Sequence, residues 1–366
     1  MALQTPLFRS HVALGAKMVE FAGWQMPLQY RDGVLKEHQV NRQGCSLFDC
    51  SHMGEFLIEG DPVACGLDRI VTQAIVAMPL FSCRYGMALN PSGGTLDDLI
   101  VYRLGKEKWM VVVNAANITS DRQHFLANLS SGTCFEDVSE TTAKLDLQGP
   151  LSREVLVRLV PEAGQLAYYT CGEFSLLGER ALISRTGYTG ELGFELYYPA
   201  GKVQALWDEF LTDSRVRPTG LAVRDVLRIE MAYPLYGHEL TGEISPVEAG
   251  LLAFVDWNKE FIGREALQER QRSDRRRIVH FVSASRRSPR QGHKIFSTEA
   301  EFVGEVVSGT FSPALNAGIG IGFVKKEFTE IGKNIIFGEA AGRESAVVTA
   351  RPFYRRGTTS GAIRQQ

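Results

Sequence analysis

The stretch Asn90-Pro91-Ser92-Gly93-Gly94-Thr95-Leu96-Asp97-Asp98-Leu99-Ile100-Val101 sets two adjacent carboxylates at the head of an apolar strand, directly after a Gly-Gly turn. Side chains alternate across a strand, so Asp97 and Asp98 point to opposite faces, and one of them turns toward the interior or a cleft. A carboxylate held there needs a partner, because burying an unpaired charge is strongly unfavourable.

Around this strand the pattern is mixed α and β. Residues 54–59 and 109–113 read as strands, and Asp61-Pro62 before an apolar-periodic stretch reads as the cap and first position of a helix. The same order returns at residues 142–147, a strand ended by Gln148-Gly149-Pro150 and followed by a helix opening at Leu151-Ser152-Arg153-Glu154. Two related α/β halves are expected, although no residue-level repeat links them. Charge density then jumps where Arg270, Arg272, Asp274, Arg275, Arg276 and Arg277 crowd together, as in a linker or an exposed domain edge. Beyond it, short β-rich runs at residues 278–282, 302–307, 319–324 and 346–350 follow at turn-punctuated spacing, which predicts a small barrel or sandwich.

Composition bounds the function. A chain of 366 residues, 44% hydrophobic, buries a sizeable core and should divide into two or three domains. Its 40 basic and 42 acidic side chains nearly cancel, so no global field draws it to nucleic acid or an anionic membrane, and a small ligand is favoured. The first residues hold no basic region followed by an apolar run, and no segment reaches a membrane span, which points to a cytosolic or mature chain. Cys45, Cys50, Cys65, Cys83, Cys134 and Cys171 form no Cys-x-x-Cys pair and have no histidine at ligand spacing. They read as reduced thiols, and no metal site is expected.

Four further clusters stand out. Residues 21–30, Phe-Ala-Gly-Trp-Gln-Met-Pro-Leu-Gln-Tyr, have no helical or strand period and form either a core plug or the wall of an apolar pocket. Ser51-His52-Met53-Gly54 places a histidine where a turn feeds a strand, a position more often structural than catalytic. No Gly-x-Ser-x-Gly elbow supports a hydrolase. Ser184-Arg185-Thr186-Gly187-Tyr188-Thr189-Gly190-Glu191-Leu192-Gly193-Phe194-Glu195 imitates a phosphate loop but lacks its spacing. What remains is either a plain β-turn with a surface glutamate, or a turn offering Tyr188 and a carboxylate, Glu195, suited to a ligand edge with adjacent N–H donors such as a pterin. Finally, residues 220–230 read as a helix with Leu221, Arg224 and Arg228 on one face, where the cations require anionic partners, Glu195 or a ligand.

Together these residues resemble a known family. Residues 21–27, Phe48-Asp49-Cys50-Ser51-His52-Met53-Gly54-Glu55-Phe56, residues 93–102, Gln148-Gly149-Pro150, residues 184–195, Ala222-Val223-Arg224-Asp225, Leu235-Tyr236-Gly237 and Ser308-Gly309-Thr310-Phe311-Ser312-Pro313 are similar, in order and spacing, to the folate-dependent T-protein of the glycine cleavage system. The resemblance runs nearly end to end. It implies an α+β, three-domain cloverleaf: two mixed, interleaved α/β subdomains over residues 1–272 and a C-terminal β-barrel over 273–366, around a central folate channel. It also implies the reaction, transfer of an aminomethyl carbon from lipoylated H-protein to tetrahydrofolate, with no metal, nucleic acid or membrane involved. The expected location is the bacterial cytoplasm, or the mitochondrial matrix for a mature eukaryotic chain.

Carried over by motif, Asp98 is the expected catalytic carboxylate, suited to stabilising positive charge on an iminium-like centre and to moving a proton. Asp97, by alternation, would turn outward or support the loop. The resemblance assigns Glu195 to the pterin edge and Arg224 to the ligand, where it would hold Glu195 ionised or touch folate. Tyr188, Met53, Tyr85, Ile100, Asn114 and Tyr168 align with pocket-lining positions. Cys50 and Asp146 depart from the apolar residues the family pattern implies. Arg355, Arg356 and Arg364 are candidates for the folate glutamate, and Arg286-Arg287-Ser288-Pro289-Arg290 for an acidic face of H-protein or a solvated loop. Two alternatives share the scaffold: a folate-dependent demethylase, and a non-catalytic folate-binding protein whose Lys-Gly-Cys-x-x-Gly-Gln-Glu signature is absent from residues 234–239.

Overall fold

The Thr95–Arg103 strand lies second in a five-stranded antiparallel sheet, between Ser82–Leu89 and Lys108–Val113, with Gly54–Glu59 and Cys134–Asp137 beyond. The structure is a computed structural model and describes residues 2–273, 276–339 and 342–359. The turn before the strand is built by Asn90, whose Oδ1 accepts the N–H groups of Ser92 at 3.0 Å and Gly94 at 2.9 Å. Gly93 has φ +78°, and a Cβ on Gly94 would stand 1.8 Å from the Gly242 carbonyl oxygen, so only glycine allows this close crossing. From here alternation holds as expected. Asp97, Leu99 and Val101 are buried on the face that packs with Phe56, Trp109, Val113 and Phe125. Ile100 and Tyr102 face the other way.

A six-stranded sheet runs in the order Cys171–Leu176, Glu179–Ser184, Gly193–Pro199, Thr142–Gln148, Cys45–Asp49, Val216–Pro218. One face carries Leu145, Leu147, Ile183, Phe194 and Leu196 against Leu206, Trp207 and Phe210 of the Val203–Leu211 helix. Full burial of each such side chain contributes about 1.5–3 kcal/mol. The inner faces of the two sheets meet through Tyr102, Met110 and Val112 on one side and Cys171 and Tyr197 on the other, with Met53, Ile100 and Tyr169 packed alongside. Polar residues line the six-stranded sheet here, because Lys144, Asp146 and Gln148 alternate with the leucines behind them.

Residues 276–349 contain a closed six-stranded barrel, in the order Arg276–Ser283, Ala317–Lys325, Phe302–Ser312, Lys294–Phe296, Asn334–Phe337, Glu344–Thr349. The barrel-or-sandwich choice is thus resolved, with Lys294–Phe296 and Asn334–Phe337 too short to declare themselves in the pattern. The Leu221–Glu230 helix ties the barrel to the rest: Val223 and Leu227 pack on Phe48 and Cys50, and Ile229 on Ile319, Ile321 and Phe353. Its Arg228 is buried and bonds Glu239 at 2.9 Å and Ser308 of the barrel at 2.8 Å.

Two local expectations are corrected. Asp61 caps a turn through the N–H groups of Val63 and Ala64, both at 3.0 Å, and the only helix that follows nearby is Leu67–Ile70. Four residues suffice there because the apolar stretch packs as turns. Residues 21–30 do hold a strand, Trp24–Gln29, paired with Lys17–Phe21 around a turn in which Ala22 and Gly23 take φ of 49° and 81°; a hairpin ribbon with one half-buried face blurs the period of two. The basic run is shared between the last turn of the Arg264–Ser273 helix and the first barrel strand, with Asp274 and Arg275 outside the described residues. All six cysteines are free thiols, five of them buried. Among the described residues no helix is long and apolar enough to cross a membrane.

Candidate active site

Asp98 leaves its strand toward the space between the sheets, half-buried. Tyr85, on the neighbouring strand, donates its hydroxyl to Asp98 Oδ2 at 3.0 Å, and Asn114 Nδ2 donates to Asp98 Oδ1 at 2.9 Å. Tyr85 is itself fixed edge-on against Phe254, with ring centroids 4.8 Å apart. Burial first, then the nearby charge of Asp97, push the Asp98 carboxyl up to about 7, against the pull of the Tyr85 and Asn114 hydrogen bonds. A carboxyl so poised exchanges its proton near neutrality. Asp97 does not turn outward. It is fully buried and accepts Asn114 N–H at 2.9 Å, Asn114 Nδ2 at 2.8 Å and Asn117 Nδ2 at 2.7 Å, so it anchors the turn that delivers Asn114.

Glu195 lies on the inner face of the six-stranded sheet and is buried, not on a surface turn. Its Oε2 accepts from Tyr102 and Tyr197, each at 3.3 Å, and its Oε1 sits 3.1 Å from Lys144 Nζ. Arg224 reaches a different carboxylate: its Nη1 donates to Asp146 Oδ2 at 2.7 Å. The expected direct pairing of Arg224 with Glu195 is therefore replaced by a chain of alternating charge, Glu195, Lys144, Asp146, Arg224, with Lys144 Nζ 2.6 Å from Asp146 Oδ1. Cys50 Sγ donates to Asp146 at 3.3 Å, which links the two departures from the family pattern. Burial alone would raise Asp146, but Lys144 and Arg224 outweigh it and hold the carboxyl down at about 2.

The aromatic residues connect these two centres. Arg224 lies over the Tyr188 ring at 4.9 Å, Tyr188 stacks on Tyr233 at 5.7 Å, and Tyr168 and Tyr169 meet edge-on at 4.7 Å. Met53 and Ile100 pack beside Tyr102 and Tyr197, and Ile100 stands opposite Tyr85 in the strand register. Tyr168 is the most exposed of the expected pocket residues at 37%. A surface cavity of about 150 Å³ lined by Leu14, Tyr30, Glu37, Arg217 and Pro218 includes none of them. Among the described residues no group of histidine, cysteine and carboxylate side chains has metal-holding geometry.

Sequence reasoning missed Lys144, Tyr102, Tyr197 and Glu55. Lys144 was legible as the i−2 neighbour of Asp146 on one strand face. Glu55 is fully buried with no donor to either carboxyl oxygen among the described residues, and burial holds it far above the carboxylate range as a neutral acid. His52, singled out in the sequence, is pushed down to about 4 by burial, stays neutral, and packs edge-on to Phe21 at 5.8 Å. Arg355 and Arg356 are exposed, and Arg364 lies outside the described residues.

Two facing sheets, one antiparallel and one mixed, with a buried charge chain on the second, a hydrogen-bonded acid on the first and a closed barrel behind, define a multidomain group-transfer scaffold. Residues 7–259 match the GCVT N-terminal domain, and residues 276–355 match the glycine cleavage T-protein C-terminal barrel domain. An aminomethyltransferase of Desulforamulus reducens is 41% identical over 360 residues, covering 96% of this chain and 98% of the relative. One of Thermotoga maritima is 38% identical over 370 residues, covering 99% of both. The crystal structure of the glycine cleavage system aminomethyltransferase T from Bartonella henselae superposes with a TM-score of 0.90 at 32% identity, covering 98% of this chain and 99% of that one. The chain belongs to the glycine cleavage T-protein family.

Proposed function

We infer that this protein is the aminomethyltransferase of glycine cleavage, taking the aminomethyl group from the lipoyl arm of H-protein to tetrahydrofolate. In that reaction the carbon–sulfur and carbon–nitrogen bonds of the aminomethyl thioether break, two bonds to folate nitrogens form, and the two N–H protons displaced from folate end on the lipoyl sulfur and on ammonia. The products are 5,10-methylenetetrahydrofolate, ammonia and dihydrolipoyl H-protein. The observation that carries this reading is Asp98: a half-buried carboxyl, gripped by Tyr85 and Asn114, with a proton it can hold or release near neutral pH.

The residues divide the work. Asp98 faces the positive charge that develops at the transferred carbon and relays a proton during the exchange. Glu195, kept in place by Tyr102, Tyr197 and Lys144, retains unused acceptor directions for the N–H donors of a pterin edge. Tyr188 and Arg224 supply a flat, cationic wall, with Met53, Tyr85, Ile100, Asn114 and Tyr168 around it. We assign the folate site to residues 1–272 and treat 273–366 as the barrel unit that buttresses it through Arg228. A cytoplasmic location fits the bacterial relatives. The demethylase and non-catalytic readings are not favoured, since the relatives of 41% and 38% identity bear the aminomethyltransferase name.

The test is formation of methylenetetrahydrofolate and ammonia from aminomethylated H-protein and tetrahydrofolate, run beside a methylated amine as donor. Turnover with H-protein alone supports the reading. Turnover only with the methylated amine moves the protein to the demethylases.

A further inference from the structure

Behind Asp98 lies a second acid that the reaction does not use. Asp121, in the first turn of the Ile118–Asn128 helix, is buried, its carboxyl is in hydrogen-bond contact with the carboxyl of Asp97, and its Oδ2 finds no donor. Two carboxyls in contact cannot both be ionised without a cation between them. Among the described residues no ion pair reaches Asp97, Asp98 or Asp121, and no metal-holding group includes them. The donors around the pair say where the proton stays. Asp97 collects three, from Asn114 N–H, Asn114 Nδ2 and Asn117 Nδ2, and is the ionised partner. Asp121 has only Asp97, so it keeps the proton and donates it.

We propose that Asp97 and Asp121 act as one carboxyl–carboxylate unit, with a single proton and a single negative charge, which aims Asn114 at Asp98 and sets how tightly Asp98 holds its proton. Asn114 is the joint: its Nδ2 bonds Asp97 Oδ1 at 2.8 Å and Asp98 Oδ1 at 2.9 Å at once. Burial and the Asp97 charge push Asp121 up to about 10, consistent with this division. The other groups that face Asp98 are Tyr85 from the adjacent strand, Tyr188 from the loop at residues 185–192 and Tyr236 beyond the Leu221–Glu230 helix; Tyr188 is in turn faced by Arg224, Arg228 and Glu239. None of the tyrosines changes charge near neutrality, so the carboxyl pair is the part of the surroundings that tunes Asp98. Asp97 and Asp121 are positioning residues. The inference rests on Asp98 as the proton-handling group, but its test reads the carboxyls themselves.

The experiment is a pH titration of aspartate side-chain carbons by NMR in the ligand-free full chain, for wild type, Asp121→Asn and the double variant Asp97→Asn/Asp121→Asn. In wild type one aspartate stays protonated up to about pH 8. Asp121→Asn removes that signal, keeps the contact because an amide also donates, and leaves the Asp98 midpoint in place. The double variant removes the charge and lowers the Asp98 midpoint by a unit or more, about tenfold in proton binding. The proposal is overturned if no aspartate in wild type is protonated there, if Asp121→Asn moves Asp98 as far as the double variant does, or if the double variant leaves Asp98 unmoved. Should the double variant not fold, wild type alone decides the first outcome, and a shift of the Asp98 midpoint by a unit or more in Asp121→Asn overturns the proposal in place of the second. A turnover profile that ignores a shifted Asp98 midpoint refutes the catalytic role of Asp98 while the carboxyl pair stands.

Discussion

Lys144 and Asp146 stand two residues apart on one strand, share its inner face and close a fully buried ion pair of 2.6 Å. The pair sits between Glu195 and Arg224, so that negative and positive groups alternate along the chain. Each ion depends on the rest of the chain, since the buried cation alone would lose its proton and the buried anion alone would gain one.

That dependence predicts a non-additive mutant cycle. Asp146→Ala leaves Lys144 and Arg224 short of an anion and is expected to cost about 3–5 kcal/mol. The double variant Lys144→Leu/Asp146→Ala removes the inserted pair and leaves Arg224 to face Glu195, so it should unfold in urea nearer wild type than Asp146→Ala does. A double variant less stable than Asp146→Ala contradicts the account.

The same pair fixes a pH window. Asp146 is held at about 2 in the fold, below its unfolded value of about 4, so its stabilisation is present above about pH 4 and is lost as pH falls toward 2. Denaturation midpoints measured across that window should drop more steeply for wild type than for the double variant.

Glu195 is expected to act in binding. Glu195→Ala removes a carboxylate that makes charge-assisted hydrogen bonds of about 1.5–3 kcal/mol, which corresponds to roughly 10- to 100-fold weaker tetrahydrofolate binding. Calorimetric titration checks this, and an unchanged Kd removes Glu195 from the ligand site.

Asp98 and Tyr85 are coupled through pH. The ionised carboxylate is the form that stabilises positive charge, so turnover should rise with pH through the Asp98 midpoint of about 7. The Tyr85 hydrogen bond favours the ionised form, and Tyr85→Phe should move the rise to higher pH while leaving its plateau less affected.

Gly94→Ala should damage both stability and activity, because its Cβ would meet the Gly242 backbone oxygen at 1.8 Å and push the turn that launches Asp97 and Asp98. Thermal melting and turnover measured together test it; an intact enzyme would show that the turn yields more than the packing suggests.

Much of this was legible in the chain. The Gly-Gly turn and strand alternation placed Asp97 and Asp98 on opposite faces, and the turn-spaced β runs foretold a small barrel or sandwich, because both depend on local residue order. What sequence alone did not carry was partner choice. Arg224 demanded an anion, yet whether Asp146 or Glu195 supplied it depended on the register of Thr142–Gln148 against Gly193–Pro199, where Asp146 stands opposite Glu195. Asp121 gave no signal either, since a first-turn aspartate is ordinary helix chemistry until the fold buries it against Asp97.

The most direct test compares wild type with Asp98→Asn for methylenetetrahydrofolate and ammonia formation from aminomethylated H-protein, alongside the tetrahydrofolate Kd of each. The account predicts that the variant folds, binds folate within a few-fold of wild type, and loses turnover by about 100-fold or more. An Asp98→Asn enzyme that turns over like wild type contradicts it.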